Sequence, residues 1–204
     1  MRNMLRGSAD KVKAVLIGCF SVFDKLYNAL VCKYRKVSRG ANVRIRGKLC
    51  VCGRGSITIG DGVAINTCRR ANPIGGDTRT ILNTVQHGTI RIGARSGLSN
   101  CTIVSRESVT IGEDVRIGGS CRIYDTDFHA VSFEDRIING DHNVVSKPVV
   151  IKDGAFIGAF SIILKGVTVG KHSVVGAGSV VTKNIPDGEV WGGNPAKFIK
   201  KLEE

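Results

Sequence analysis

The chain of 204 residues has 42% hydrophobic residues but only 5% aromatics, and 26 glycines; this suits one core of Val and Ile in short strands with tight corners, and excludes a helix bundle. Seven cysteines, an odd number with no secretory cleavage pattern ahead of them, point to reduced thiols in a cytoplasmic protein, and the pair Cys50 and Cys52 has no second pair at zinc-site spacing. Of the formal net charge of +13, residues 1–39 hold nine Lys and Arg against Asp10 and Asp24, and this basic segment carries no recognised motif of a nucleic-acid binder.

In residues 1–38, Val12, Val15, Leu16, Cys19, Phe20, Val22, Phe23, Leu26, Tyr27 and Leu30 recur at three- and four-residue steps, the pattern of amphipathic helix. Its apolar run is too short to span a bilayer. Basic and amphipathic together, it can cap a solenoid or contact an anionic membrane peripherally, from the cytoplasmic side. From residue 39 a period of six sets in, loosely at Ile45, Val51 and Ile57, then at Ile59 and Ile65 after a slip of two. The frame is lost over 66–90, returns at Ile92, Leu98 and Val104 and again at Ile111, Ile117 and Ile123, and is lost over 124–148. It then runs without a miss through Ile151, Ile157, Ile163, Val169, Val175 and Val181, with Ala155, Ser161, Val167, Ser173 and Ser179 four places after the first five.

Six is neither the 3.6 of a helix nor the 2 of a hairpin strand. It suits a short flat strand and a bend, three of which close a coil of about 18 residues stacking at roughly 4.8 Å on the next. The expected fold is an all-β parallel β-helix solenoid over 39–197 with two functional loops, preceded by the helical segment 1–38 and followed by a tail, 198–204.

The units I-G-A-F-S-I at 157–162 and V-G-A-G-S-V at 175–180 resemble the hexapeptide-repeat acyltransferases, of the sugar and maltose O-acetyltransferase kind, over about 45–197. That resemblance implies a left-handed β-helix, against the usual right-handed rule for parallel crossovers, and assembly as a homotrimer. The segment I-Y-D-T-D-F-H-A-V at 123–131 is similar to that family's active-site segment and makes His129 the expected general base. A sugar hydroxyl attacks a thioester only as a base accepts its proton, and an imidazole can do so if its other nitrogen is held by a partner. Asp127, Asp125 or a loop carbonyl could hold it, with Asp127 named as the catalytic partner. Standing alone, His129 would read as an exposed loop histidine. His87 and His142 match no metal site by spacing, although the gamma-type carbonic anhydrases share this fold and hold zinc with three histidines; His172 sits in a plain repeat corner, and no metal is expected.

The resemblance also implies that a polar residue at Ser99 binds the acceptor, where relatives carry Asn; Asn100 beside it and Asn66 in I-N-T-C are candidates of the same sort, with corner hydrogen bonding as the plainer role. V-G-A-G-S-V-V-T-K at 175–183 and W-G-G-N-P-A-K at 191–197 match the family's CoA region. Carried over, Ala159 and Ala177 flank the pantetheine arm, a backbone N–H near Ala159 receives the oxyanion, and Thr182, Lys183 and Lys197 meet the adenosine and its phosphates. Small corner residues and solvated lysines are the fold's own explanation of the same positions. The implied function is acetyl transfer from acetyl-CoA to a hydroxyl of a sugar or glycan acceptor, as in polysaccharide biosynthesis. N-acetylation of an amino sugar, free or nucleotide-linked, is the alternative. A non-catalytic scaffold subunit is the second alternative, against which D-T-D-F-H and G-N-P-A-K both stand.

Overall fold

The protein, described from a computed structural model over residues 22–75 and 78–203, opens with a helix from 22 to 34 that lies across the mouth of a three-sided coil. Positions 1–21 of the expected helical segment lie outside the described residues. The helix turns Asn28 and Cys32 inward, both buried, with Val31 packed against the core below. Asn28 does the joining. Its Nδ2 donates to Gly47 O (2.8 Å) and its Oδ1 accepts from Leu49 N–H (2.9 Å), satisfying two backbone groups that have no coil beneath them to pair with. Outward, Val22, Leu26, Leu30 and Tyr34 recur every fourth residue, with Phe23 beside them, as an exposed apolar stripe.

Three parallel sheets form the walls of a left-handed β-helix. The first face stacks Ser38–Arg39, Ser56–Ile59, Thr89–Ile92, Ser108–Ile111, Val149–Ile151 and Thr168–Val169. The second stacks Arg44–Gly47, Ala64–Thr67, Gly97–Ser99, Arg116–Ile117, Phe156–Ile157, Val174–Val175 and Glu189–Gly193. The third stacks Cys50–Gly53, Ile81–Thr84, Thr102–Ser105, Arg122–Tyr124, Ile162–Ile163 and Val180–Val181. Each coil visits the faces in that order. Register explains the sixfold frame: Ile151 pairs with Val169, Ile157 with Val175 and Ile163 with Val181, so every inward aliphatic stands on one from the coil below. All six are fully buried. The small residues four places on sit inside the corners, where Ser161 Oγ and Ser179 Oγ donate to Gly176 O (3.0 and 2.6 Å) and Ser173 Oγ donates to Pro186 O (2.6 Å).

The corner from first to second face needs one left-handed residue per coil. It is supplied in turn by Asn42, Gly62, Arg95, Asp114, Gly154, His172 and Gly188, with φ between 56° and 70°. His172 is therefore a corner residue, as its place in V-G-K-H-S-V indicated.

Two boundaries differ from the sequence reading. Strands resume at Ile81 within the range 66–90, so the first excursion occupies only 68–80; Leu82 and Ile90 are both fully buried but eight apart, because the turn at 85–88 carries two extra residues. Most of the expected tail is structured too. Ala196–Lys201 pairs antiparallel with Glu189–Gly193, which covers the open end of the last coil. The second excursion, 125–148, falls where the frame was lost.

Replacing Asn28 by Ala leaves the Gly47 carbonyl and the Leu49 amide without partners, and should destabilise the protein by about 2–3 kcal/mol. Urea unfolding checks this; a change under about 0.5 kcal/mol, the level of an ordinary surface substitution, would mean that the helix does not cap the coil.

Candidate active site

The second excursion leaves the third face after Arg122–Tyr124 and rejoins the first at Val149–Ile151. Its root is tied down by Asp125, which is fully buried and accepts from Ser105 Oγ (2.9 Å), Arg106 N–H (2.7 Å) and Glu107 N–H (2.8 Å) of the coil below. The two strands of the root then face each other, with Asp127 N–H on Val145 O (3.1 Å) and Lys147 N–H on Asp125 O (2.9 Å). Beyond the root Phe128 takes a left-handed φ of 65° and sets its ring edge-on to Tyr124, centroids 5.0 Å apart. The tip folds into one wide helical turn, Glu134–Ile138, from which Arg136 donates back to Ala130 O (2.7 Å) and Val131 O (2.9 Å).

This bracing presents His129 to solvent, with 71% of its side chain exposed. Its Nδ1 lies 2.6 Å from Asp141 Oδ2, while Asp141 Oδ1 accepts from Ala130 N–H (2.8 Å). One carboxylate therefore holds both the ring and the backbone that carries it. The Ala130 amide first, and then the His129 ring, hold the Asp141 carboxyl below the usual aspartate value. An ionised Asp141 accepting from Nδ1–H selects the tautomer in which Nε2 carries the basic lone pair.

Asp127, named from the sequence as the partner, is not on His129. It pairs with Lys165 Nζ at 2.5 Å, and Lys165 lies on the corner of the following coil. The reason is the alternation of the root strand, which points Asp127 back toward the solenoid while the left-handed Phe128 swings His129 away. Asp125 holds the root, and the carboxylate in contact with His129 is that of Asp141, twelve positions on. The only local signal for it is the turn-forming N-G-D-H at 139–142. His142 and His87 are exposed, and among the described residues no group of three or more His, Cys, Asp or Glu converges.

The three expected acceptor residues form one cluster at the corner between the second and third faces. Asn66 and Ser99 are register partners, and Asn66 Nδ2 donates to Ser99 Oγ (3.1 Å). Asn100, left-handed at φ 46°, donates its N–H to Asn66 O (2.8 Å); its fully buried side-chain amide has no hydrogen-bond partner among the described residues. The first excursion ends on them, with Thr80 Oγ1 on Asn66 O (2.7 Å) and Thr78 Oγ1 on Asn100 O (3.1 Å). The His129 loop leaves from the next corner, third face to first. A single chain thus holds His129 and this polar cluster at different corners of the prism.

Ala159 and Ala177 lie on the same corner as the cluster in successive later coils, joined by Gly178 N–H to Ala159 O (2.8 Å). The Ala159 N–H, between a Gly158 amide bonded to Val175 O and a Phe160 amide bonded to Gly119 O, donates to nothing among the described residues. Lys197 is exposed on the closing hairpin opposite Gly192. Thr182 and Lys183, both exposed, instead follow Val180–Val181 at the His129 corner, with Lys183 one coil beyond Lys165. In the coils after Ser99 its place is taken by Gly118, Gly158 and Gly176, so a strip of bare backbone runs toward the hairpin. Packing demands glycine at the first two, where a Cβ would stand 2.6 and 2.5 Å from the backbone nitrogens of Ala159 and Ala177. It makes no such demand at Gly176, where the nearest atom to a Cβ is 3.5 Å away.

Residues 148–183 match the family described as bacterial transferase hexapeptide (six repeats). In three dimensions the chain is similar to a variant of AntD, an N-acyltransferase from Bacillus cereus, in complex with dTDP-4-amino-4,6-dideoxyglucose and coenzyme A: 26% identity, TM-score 0.70, 87% of this chain and 90% of that one. It is similar to galactoside acetyltransferase in complex with coenzyme A at 27% identity and TM-score 0.52, over 81% of this chain and 65% of that one. It shares its fold with the hexapeptide-repeat acetyltransferase VCA0836 of Vibrio cholerae, complexed with acetyl-CoA, at 23% identity and TM-score 0.58 over 97% and 92% of the two chains. A stretch of 94 residues, 46% of the chain, is 51% identical to the mitochondrial gamma carbonic anhydrase 2 of Arabidopsis thaliana, of whose length the chain spans 26%.

Asp141 should keep its hold on Ala130 from neutrality down past the ordinary aspartate pKa near 3.9 and release it only as pH falls through the lowered value. The Ala130 amide proton, followed by NMR, should therefore titrate with a midpoint below ~3.9. A midpoint at or above that would mean that the carboxylate does not hold the loop in solution.

Proposed function

We propose that this hexapeptide-repeat chain is an acyltransferase that moves an acetyl group from acetyl-CoA to a hydroxyl of a sugar or glycan, with His129 as general base. The observation that carries the reading is the 2.6 Å contact of Asp141 with His129 Nδ1. An exposed loop histidine without a task has no need of a buried root, an arginine brace and an ionised carboxylate to fix its tautomer.

In the step itself, Nε2 accepts the acceptor's hydroxyl proton as the oxygen attacks the thioester carbonyl. The carbonyl oxygen, negative in the tetrahedral intermediate, lies against the Ala159 N–H, which has no acceptor among the described residues. Collapse expels the CoA sulfur, which takes the proton from the imidazolium, so the products are the acetyl ester, free CoA and neutral His129. The strip of bare backbone through Gly176 accommodates the pantetheine arm beside Ala159 and Ala177, and Thr182, Lys183 and Lys197 receive the nucleotide end. Asn66, Ser99 and Asn100 hold the acceptor.

Because base and acceptor cluster occupy different corners, the working site pairs His129 of one protomer with the cluster of a neighbour, in a homotrimer. Val131, Phe133, Ile137 and Ile138, all exposed on the loop tip, supply apolar surface for that contact. No helix among the described residues is long and apolar enough to cross a membrane; the reading places the protein in the cytoplasm, with the stripe on helix 22–34 available for peripheral contact. Similarity to AntD supports a second reading, in which the same base and donor site acetylate the amine of a nucleotide-linked amino sugar.

Release of free CoA thiol with a panel of sugar and amino-sugar acceptors tests this. His129→Ala should lower turnover by about 10²–10⁴, the usual contribution of a general base, and Asp141→Asn should follow it in the same direction. Asp127→Asn should change turnover less than tenfold. Full activity in His129→Ala would sink the mechanism, and an Asp127→Asn defect as large as that of Asp141→Asn would return the orienting role to Asp127.

Gly176→Val separates fold from donor site. It should leave stability within about 1 kcal/mol of wild type, since the added Cβ meets no atom nearer than 3.5 Å, while CoA affinity falls at least tenfold. Unchanged CoA affinity in a folded variant would remove the bare strip from the donor site.

A further inference from the structure

The helix from 22 to 34 and the start of the first excursion stand on either side of the strand Arg44–Gly47 and enclose a cleft of about 680 Å³. Four cations line it, Lys25 from the helix, Arg44 and Arg46 from the strand and Arg70 from the excursion, against the single carboxylate of Asp24. All four are exposed, and among the described residues none of them makes an ion pair. Like charges gathered in a concave site raise one another's energy and focus a positive field, which an anion of two or three charges relieves. Three of the four are arginines, whose planar fork suits phosphate oxygens in pairs.

The register decides what such an anion belongs to. Arg46 is the Cα partner of Asn66, and Asn66 is the Cα partner of Ser99. Arg46 therefore lies on the column of the acceptor cluster, two strand spacings or about 10 Å from Ser99. Along this outer column the chemistry changes in order, from guanidinium at 46, to amide and hydroxyl at 66 and 99, to bare backbone at 118, 158 and 176.

We propose that the cleft formed by Lys25, Arg44, Arg46 and Arg70 binds the diphosphate of the acceptor, so that the sugar acetylated in the site above it is a glycosyl diphosphate. This rests on the acetyl-transfer reading for what happens to the sugar, but binding in the cleft does not depend on turnover. A diphosphate reaches the cleft either on a soluble nucleoside diphosphate sugar or on a membrane-bound glycosyl lipid, and the apolar stripe Val22, Leu26 and Leu30 on the same helix makes the second source structurally accessible.

The test is calorimetric titration of the full chain with inorganic pyrophosphate. Saturable binding is expected, weakening as salt rises, and the double variant Arg44→Ala/Arg46→Ala should bind at least tenfold more weakly while binding CoA like wild type. Pyrophosphate should also inhibit transfer competitively against the sugar acceptor and not against acetyl-CoA. Displacement of pyrophosphate by uridine diphosphate supports the soluble source, and displacement only by phosphatidylcholine vesicles containing phosphatidic acid supports the membrane one. No saturable binding by the wild type, or equal binding by wild type and double variant, overturns the proposal. Failure of CoA binding, or of the His129 dependence, would instead remove the acetyl-transfer reading and leave the pyrophosphate result standing.

Discussion

Everything in this molecule follows from stacking one aliphatic side chain on another through successive coils. Ile151 over Val169, Ile157 over Val175 and Ile163 over Val181 leave a prism filled by its own side chains, and each fully buried Val or Ile contributes about 1.5–3 kcal/mol. Among the described residues the interior of the prism is taken up by buried Ile, Leu and Val side chains. Chemistry is confined to what leaves the coil: its corners, its two excursions, and the outer surface of its faces.

The second excursion shows how such a structure can still place a side chain accurately. A loop of some twenty residues would ordinarily sample many conformations, at a cost of about 1–2 kcal/mol per residue to order. Here Asp125 pins its root to the coil beneath, Asp127 pins it sideways to Lys165, and Arg136 and Asp141 brace its tip from within. Three aspartates share the work, and only the last of them touches His129. The bracing runs through charge-assisted hydrogen bonds, the stronger class, because an exposed loop has little apolar burial to stabilise it.

The second face is organised along its length rather than across it. The inward positions barely change from coil to coil, as the core requires, while the outward column runs from arginine to amide to glycine. That gradient suits a ligand laid along the solenoid axis, charged at one end and narrow at the other. Helix 22–34 and the closing hairpin then mark its two ends, each covering a coil that would otherwise expose unpaired backbone.

The sequence by itself determined the solenoid, because a period of six written in Ile, Val and small residues suits a short strand and a bend stacked coil on coil, while its left hand rested on the family resemblance. It also showed the corner role of His172, and through the family resemblance it singled out His129 and the set Asn66, Ser99 and Asn100, which the fold brings into one cluster. Its errors have a common cause. A repeat is legible only while its spacing holds, so the strands at Ile81–Thr84 and Thr89–Ile92 were hidden by a turn two residues longer, and the strand Ala196–Lys201 by pairing that is antiparallel and outside the repeat. Asp141 was hidden for a stronger reason: which carboxylate reaches a histidine across a twelve-residue loop depends on left-handed turns at Phe128 and Asp141 and on where the root strand points. Only the tertiary structure decided that, as it decided that Arg46 stands in line with Ser99, since residues 53 apart in sequence become neighbours but one when coils stack.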